Sequence, residues 1–118
     1  MQAPLTPERL AATYDYLRVW PPFSRWGLPD SDAIIFRTTE RRDCFGEITY
    51  EPLTIMASTA LHWQVEPLMK TMAHEMLHLR QHLARTENRS QHNAEFKRIA
   101  KAICKRYGWH FGQFVGGV

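Results

Sequence analysis

Cysteine is nearly missing from this chain. The 118 residues hold only Cys44 and Cys104, far apart in sequence, which excludes both a disulfide framework and the paired Cys-x-x-Cys half-sites of a zinc ribbon. Long apolar runs are missing too. No stretch is long enough to span a bilayer, and Met1-Gln2-Ala3-Pro4-Leu5-Thr6-Pro7-Glu8 has no basic segment leading into an apolar one, so neither secretion nor membrane insertion is expected. With unpaired thiols, the expectation is a reducing, cytoplasmic compartment. Internal repeats and low-complexity tracts are lacking, as is a large charge excess: the formal charge of +3 is too small to assign a polyanionic partner. What remains is ordinary globular composition, 44% hydrophobic and 23% charged, in a chain of the length of one domain spanning 1–118.

The pattern of elements predicts an α+β fold. Thr6-Pro7-Glu8 reads as an N-cap with proline in the first helical turn, and Leu10, Tyr14 and Leu17 recur at helical spacing until Pro21-Pro22, which gives an N-terminal helix. Ala33–Arg37, Cys44–Tyr50 and Leu53–Ala57 are strand-like, with Glu51-Pro52 between the last two, which predicts a small, mostly antiparallel sheet. From about Glu66-Pro67 to Arg85 a long helix carries Leu68, Met69, Met72, Met76, Leu79 and Leu83 as its apolar stripe. A last helix, with Ser90 as candidate cap, carries Phe96, Ile99, Ala100, Ile103 and Tyr107 and stops at Gly108. The aromatic, glycine-broken tail after it is expected to fold back on the core, and Trp20, Trp26, Trp63 and Trp109 are read as packing residues.

The long helix contains His74-Glu75-Met76-Leu77-His78. Residues four apart lie one turn above each other, so both imidazoles share a face at a separation suited to one zinc ion. Glu75, beside the first ligand, is placed to take a proton from zinc-bound water and return it to a leaving amine. Such a pentapeptide also arises by chance. Its helical context supports it, because the stripe through Met72, Met76 and Leu79 lies roughly 150° from the histidine direction, leaving one face for the core and one for a cleft.

Catalytic zinc commonly takes three protein ligands and keeps a fourth position open. His82 continues the series but lies ~12 Å along the axis from His74, too far for one tetrahedral ion. An extended metzincin motif would need glycine and histidine where this chain has Gln81 and Ala84. His92 and Glu95 remain. On a helical wheel His92 falls near the centre of the stripe formed by Phe96, Ile99 and Ile103, while Glu95 sits about 60° off.

These residues resemble the SprT-like domain, the metallopeptidase domain of the Spartan and SprT proteins. That family combines an HExxH helix, a polar insert and a third histidine opening a helix in a His-Gly-x-x-Phe/Trp pattern, matched here by His92-Asn93-Ala94-Glu95-Phe96. Cys44-Phe45-Gly46-Glu47 and the strand ending Ile55-Met56-Ala57-Ser58 are similar as well. The resemblance runs from about Ile34 to Tyr107. It implies a zincin-like domain, zinc held by His74, His78 and His92, and Glu75 as catalytic base. It further implies an edge strand that pairs with extended substrate, expected here at Leu53–Ala57. Asn93 stands where the family has glycine, and no zinc ribbon follows the last helix within this chain, so action on DNA-attached proteins is not carried over.

Two other readings stay open. In one, zinc is structural and Lys97, Lys101 and Lys105, on one helical side, make weak nucleic-acid contacts in a non-catalytic binding module. In the other, Glu95 is the third ligand of a gluzincin-like peptidase. Tyr50, His82, Tyr107 and His110 are candidate oxyanion donors, each more readily explained as structural.

Overall fold

A computed structural model describes residues 4–61 and 64–116. The leader reading of Met1–Ala3 and the packing role expected of Trp63 lie outside the described residues. In chain order the elements are α1 (Pro7–Arg18), β1 (Ile35–Thr39), β2 (Gly46–Tyr50), β3 (Leu53–Ser58), α2 (Val65–Ala84), α3 (Ala94–Tyr107) and α4 (Phe111–Gly116), with short 3₁₀ turns at Phe23–Arg25 and Ser31–Ala33.

Local chemistry accounts for the helix starts. The Thr6 hydroxyl accepts the Arg9 N–H at 3.1 Å, and Pro7 costs α1 nothing because the first-turn N–H groups lack helical partners anyway. Leu10, Tyr14 and Leu17 are buried, and α1 packs on α2 and β1. At the far end of the chain Gly108 takes a left-handed conformation at φ 73°, which ends α3 and lets its N–H close on the Cys104 carbonyl. The tail then folds back as expected, forming α4 and burying Phe114.

The sheet is small, as expected, but mixed where a mostly antiparallel one was expected. Its order is β1-β3-β2, with β1 parallel and β2 antiparallel to β3. Leu53–Ser58 is therefore the central strand and not the edge, consistent with its buried Ile55, Ala57 and Ser58. The edge expected at Leu53–Ala57 rests on the resemblance, and nothing local in these strands sets their order. Instead, the charged segment after β1 carries the chain across to the far side of β3. Arg41 holds that crossing through Asp43 at 2.8 Å and Glu47 at 3.1 Å, and its carbonyl accepts the buried Ser58 hydroxyl. The strand that borders the functional cleft is β2.

In α2 every residue from Thr71 to Leu77 is buried, so the middle of this helix has no solvent face. β2, α1, α3 and α4 all pack against it. Leu83, expected in the apolar stripe, is 51% exposed beyond the packed region. Trp26 packs on the core and Trp109 stacks between Tyr107 and Phe114, but Trp20 is 47% exposed and meets only the ring of Tyr16 among described aromatic contacts.

Candidate metal centre

One turn of helix places His74 and His78 together, with their Nε2 atoms 3.1 Å apart. His92 arrives from the α2–α3 connection, and the three side chains can each offer a nitrogen such that all lie within 4.8 Å of one another. A group of this kind could hold a metal ion. His92 reaches it by a route other than the helical wheel suggested. Ser90 is not the cap. Asn93 is, on extended backbone and accepting the Phe96 N–H at 2.9 Å, so His92 lies outside α3 in the turn before it. Asparagine suits that position because its short side chain reaches the free N–H two or three residues ahead.

Phe96 serves as the floor of the cluster. Its ring centroid lies 5.2 Å from His74, 4.7 Å from His78 and 4.6 Å from His92. Behind the cluster, the Nδ1 of His74 is 2.7 Å from the carbonyl oxygen of Phe114. A carbonyl can only accept, so Nδ1 carries the proton and Nε2 presents its lone pair to the neighbouring histidines. Burial lowers His74 to about 4, the Phe114 hydrogen bond opposing, and lowers His78 to about 3, helped by the other imidazoles. Burial also lowers His92. All three are thus neutral donors at neutral pH.

Glu75 is 5% exposed, and burial, with the charge of Glu47 adding, raises its carboxyl to about 8. It faces a cleft of about 480 Å³ that also takes in Gly46, Glu47, Tyr50, His78 and His92. Glycine at 46 is what lets β2 come so close. A Cβ there would meet Thr71 Cγ2 at 2.8 Å, the Met56 carbonyl at 3.0 Å and Glu75 Oε2 at 3.2 Å.

Comparison with known proteins places the chain in a family. The profile of the SprT-like family matches residues 22–112, which is most of the chain. The chain belongs to the SprT-like family. No individual curated protein matches it significantly.

Within this SprT-like chain the other candidates fall away from the cluster. Glu95 accepts from Gln81 Nε2 at 2.9 Å and Thr86 Oγ1 at 2.5 Å, and lies 3.5 Å from Arg80 Nη1. Those hydrogen bonds, from Gln81 first, hold its carboxyl below the usual range. His82 pairs with Glu87 at 2.8 Å and stacks on Tyr50 at 3.7 Å. Tyr107 donates to the Pro21 carbonyl, and His110 is exposed, its Nδ1 accepting the Gln113 N–H at 3.2 Å. Of the four candidate oxyanion donors, Tyr50 is the one that lines the cleft. Lys97, Lys101 and Lys105 are exposed on the outer side of α3. No described helix is long and apolar enough to cross a membrane.

Sequence reasoning missed two contributors. Phe96 reads as a core residue in the helical stripe, although its spacing from His92 is part of the family pattern. The Phe114 carbonyl carried no signal at all, because a backbone acceptor forty positions from its partner has no residue type to betray it.

Proposed function

We propose that this SprT-like chain is a zinc-dependent endopeptidase of the zincin type, with His74, His78 and His92 holding the metal and Glu75 acting as general base. The observation that carries this reading is the convergence of three imidazoles beside a buried carboxylate in one open cleft. The donor set fits zinc. Three neutral nitrogens converge and no fourth His, Cys, Asp or Glu joins them among the described residues, which is the count of a catalytic site; a structural site is closed by four. When bound, zinc supplies Lewis-acid polarisation of the scissile carbonyl and acidifies water.

The protein's own residues do the rest. A nearby cation favours the ionised form of Glu75 over the neutral form that burial imposes on the metal-free protein. As a carboxylate, Glu75 takes a proton from the attacking water and delivers it to the leaving amine. Tyr50, on the same cleft, is the side chain available to donate to the developing oxyanion. The substrate chain lies along β2, whose outer edge pairs with no strand among the described residues and runs into the cleft. Backbone pairing there suits unfolded protein segments of varied sequence. Removing metal with a chelator should stop cleavage of an unfolded protein, and stoichiometric zinc should restore it. Cleavage that survives complete metal removal contradicts the proposal.

The exposed side of α3 favours one addition, contact with nucleic acid through Lys97, Lys101 and Lys105, which would bring DNA-associated proteins within reach. Its signature is a DNA affinity that falls steeply with salt, and undetectable binding at low salt removes it.

A further inference from the structure

His92 is the one member of the histidine group that is not anchored in α2, so something outside the helix must fix it. The cap and the first turn of α3, which follow it directly, are tied to a single buried side chain, Gln81, which is 1% exposed. Its amide nitrogen donates to Asn93 Oδ1 and to Glu95 Oε1, each at 2.9 Å. Asn93 in turn donates through Nδ2 to the Thr86 carbonyl at 3.1 Å, and the Thr86 hydroxyl closes the ring on Glu95 at 2.5 Å. The Thr86 N–H returns to the Gln81 carbonyl at 2.9 Å. The beginning and end of the connection between α2 and α3 are therefore clamped to the same residue, one turn beyond His78.

From this closed ring we infer that Gln81 is a positioning residue for the third ligand: its carboxamide holds Asn93, and through Asn93 the backbone of His92, in register with His74 and His78. The inference rests on His92 being a metal ligand and is independent of whether the protein cleaves peptides. Both hydrogens of this buried amide nitrogen have acceptors in the closed ring, and such networks specify one local arrangement. A thioether of similar length fills the space but donates nothing, so Gln81→Met leaves Asn93 held only by the Phe96 N–H and the Thr86 carbonyl, both outside α2, and loosens the tie between His92 and the helix of His74 and His78. Outer hydrogen-bond partners of ligands commonly govern metal affinity by about 10–100-fold.

The test is a double-mutant cycle read by competitive zinc titration against a chromophoric chelator, with helix content measured on each metal-free variant. Gln81→Met should weaken zinc binding at least about tenfold in the wild-type background and leave it unchanged in a His92→Ala background, because the effect travels through His92. Equal losses in both backgrounds, or no loss in either, overturn the inference. Zinc affinity untouched by His92→Ala alone overturns the ligand reading on which it rests. If Gln81→Met does not fold, Asn93→Ser keeps a capping oxygen for the Phe96 N–H but withdraws the acceptor that Gln81 holds, and the cycle with His92→Ala is read by the same criteria.

Discussion

The Nδ1 of His74 and the carbonyl of Phe114 lie 2.7 Å apart, joining the HExxH helix to the short helix that ends the described chain. This contact fixes the imidazole tautomer and aims Nε2 at its partners. It also makes the geometry of the histidine group depend on α4 being docked. The Phe114 side chain does the docking: it is buried, 5.7 Å from the His74 ring and 6.1 Å from Trp109.

Phe114→Ala should accordingly cost about 3–5 kcal/mol of stability, as for a buried aromatic truncated to a cavity, and weaken zinc binding by roughly 10–100-fold. Phe114→Leu, which keeps an apolar anchor, should retain most of the affinity. Chelator competition and chemical denaturation measure the two effects separately. Unchanged zinc affinity in Phe114→Ala would show that the carbonyl contact does not orient His74.

The metal-free protein should be most stable at about pH 6.5 and lose stability on either side. His74 and His78 have folded values of about 4 and 3, below the 6.5 of an unperturbed histidine. Their contribution is therefore present above 6.5 and lost as pH falls toward those values, because the unfolded chain binds protons that the folded one refuses. Glu75 runs the other way. Its folded value of about 8 lies above its usual 4.5, so its contribution is present below 4.5 and lost as pH rises through 8. Denaturant midpoints across pH 4–9 measure both limbs, and Glu75→Gln should flatten the alkaline one and steepen the rise between about 4.5 and 6.5, where Glu75 opposes the histidines.

Metal binding at pH 7 should release about one proton, and that proton should come from Glu75. The histidines are already neutral there, whereas the buried carboxyl, at about 8, is mostly protonated until a cation arrives. Calorimetric zinc titrations in buffers of different ionisation enthalpy count the protons. Glu75→Gln should release none, and equal release from both proteins places the titrating group elsewhere.

Gly46→Ala should separate β2 from α2. The added methyl meets the Thr71 side chain, the Met56 carbonyl and Glu75 Oε2, all within 3.2 Å, and the Met56 backbone is held in the sheet by its pairing. Overpacking of this kind costs about 1–3 kcal/mol. Because the displaced strand borders the cleft, KM for an unfolded substrate should rise while bound zinc stays constant. A variant with wild-type stability and KM contradicts this account of the close approach.

The helices were legible in the sequence because helical signals are local: the Thr6-Pro7 start, the 3.6-residue recurrence of Leu10, Tyr14 and Leu17, and Gly108 at a left-handed stop. Strand order was not, since nothing local in Cys44–Tyr50 or Leu53–Ala57 says which of them sits at the centre. That depends on where the segment after β1 crosses, which Arg41 and its acidic partners settle in three dimensions. At the site, the spacing of His74 and His78 brings them together directly, since four residues make one turn. The approach of His92 was found by a wheel argument that does not apply to it, as the Asn93 cap leaves His92 outside the helix. Its nearness to the pair reflects the Gln81 and Asn93 hydrogen bonds, which sequence periodicity does not encode.

The central claim is that Glu75 performs proton transfer beside a metal held by three histidines. Glu75→Gln keeps the volume of the side chain and removes its basicity, so zinc content and degradation of an unfolded protein, measured on the same preparations of wild type and variant, test the claim most directly. The account predicts full zinc occupancy in both proteins with cleavage reduced at least about 100-fold in the variant, the scale of a lost general base. Cleavage at the wild-type rate by a zinc-loaded Glu75→Gln protein would contradict it.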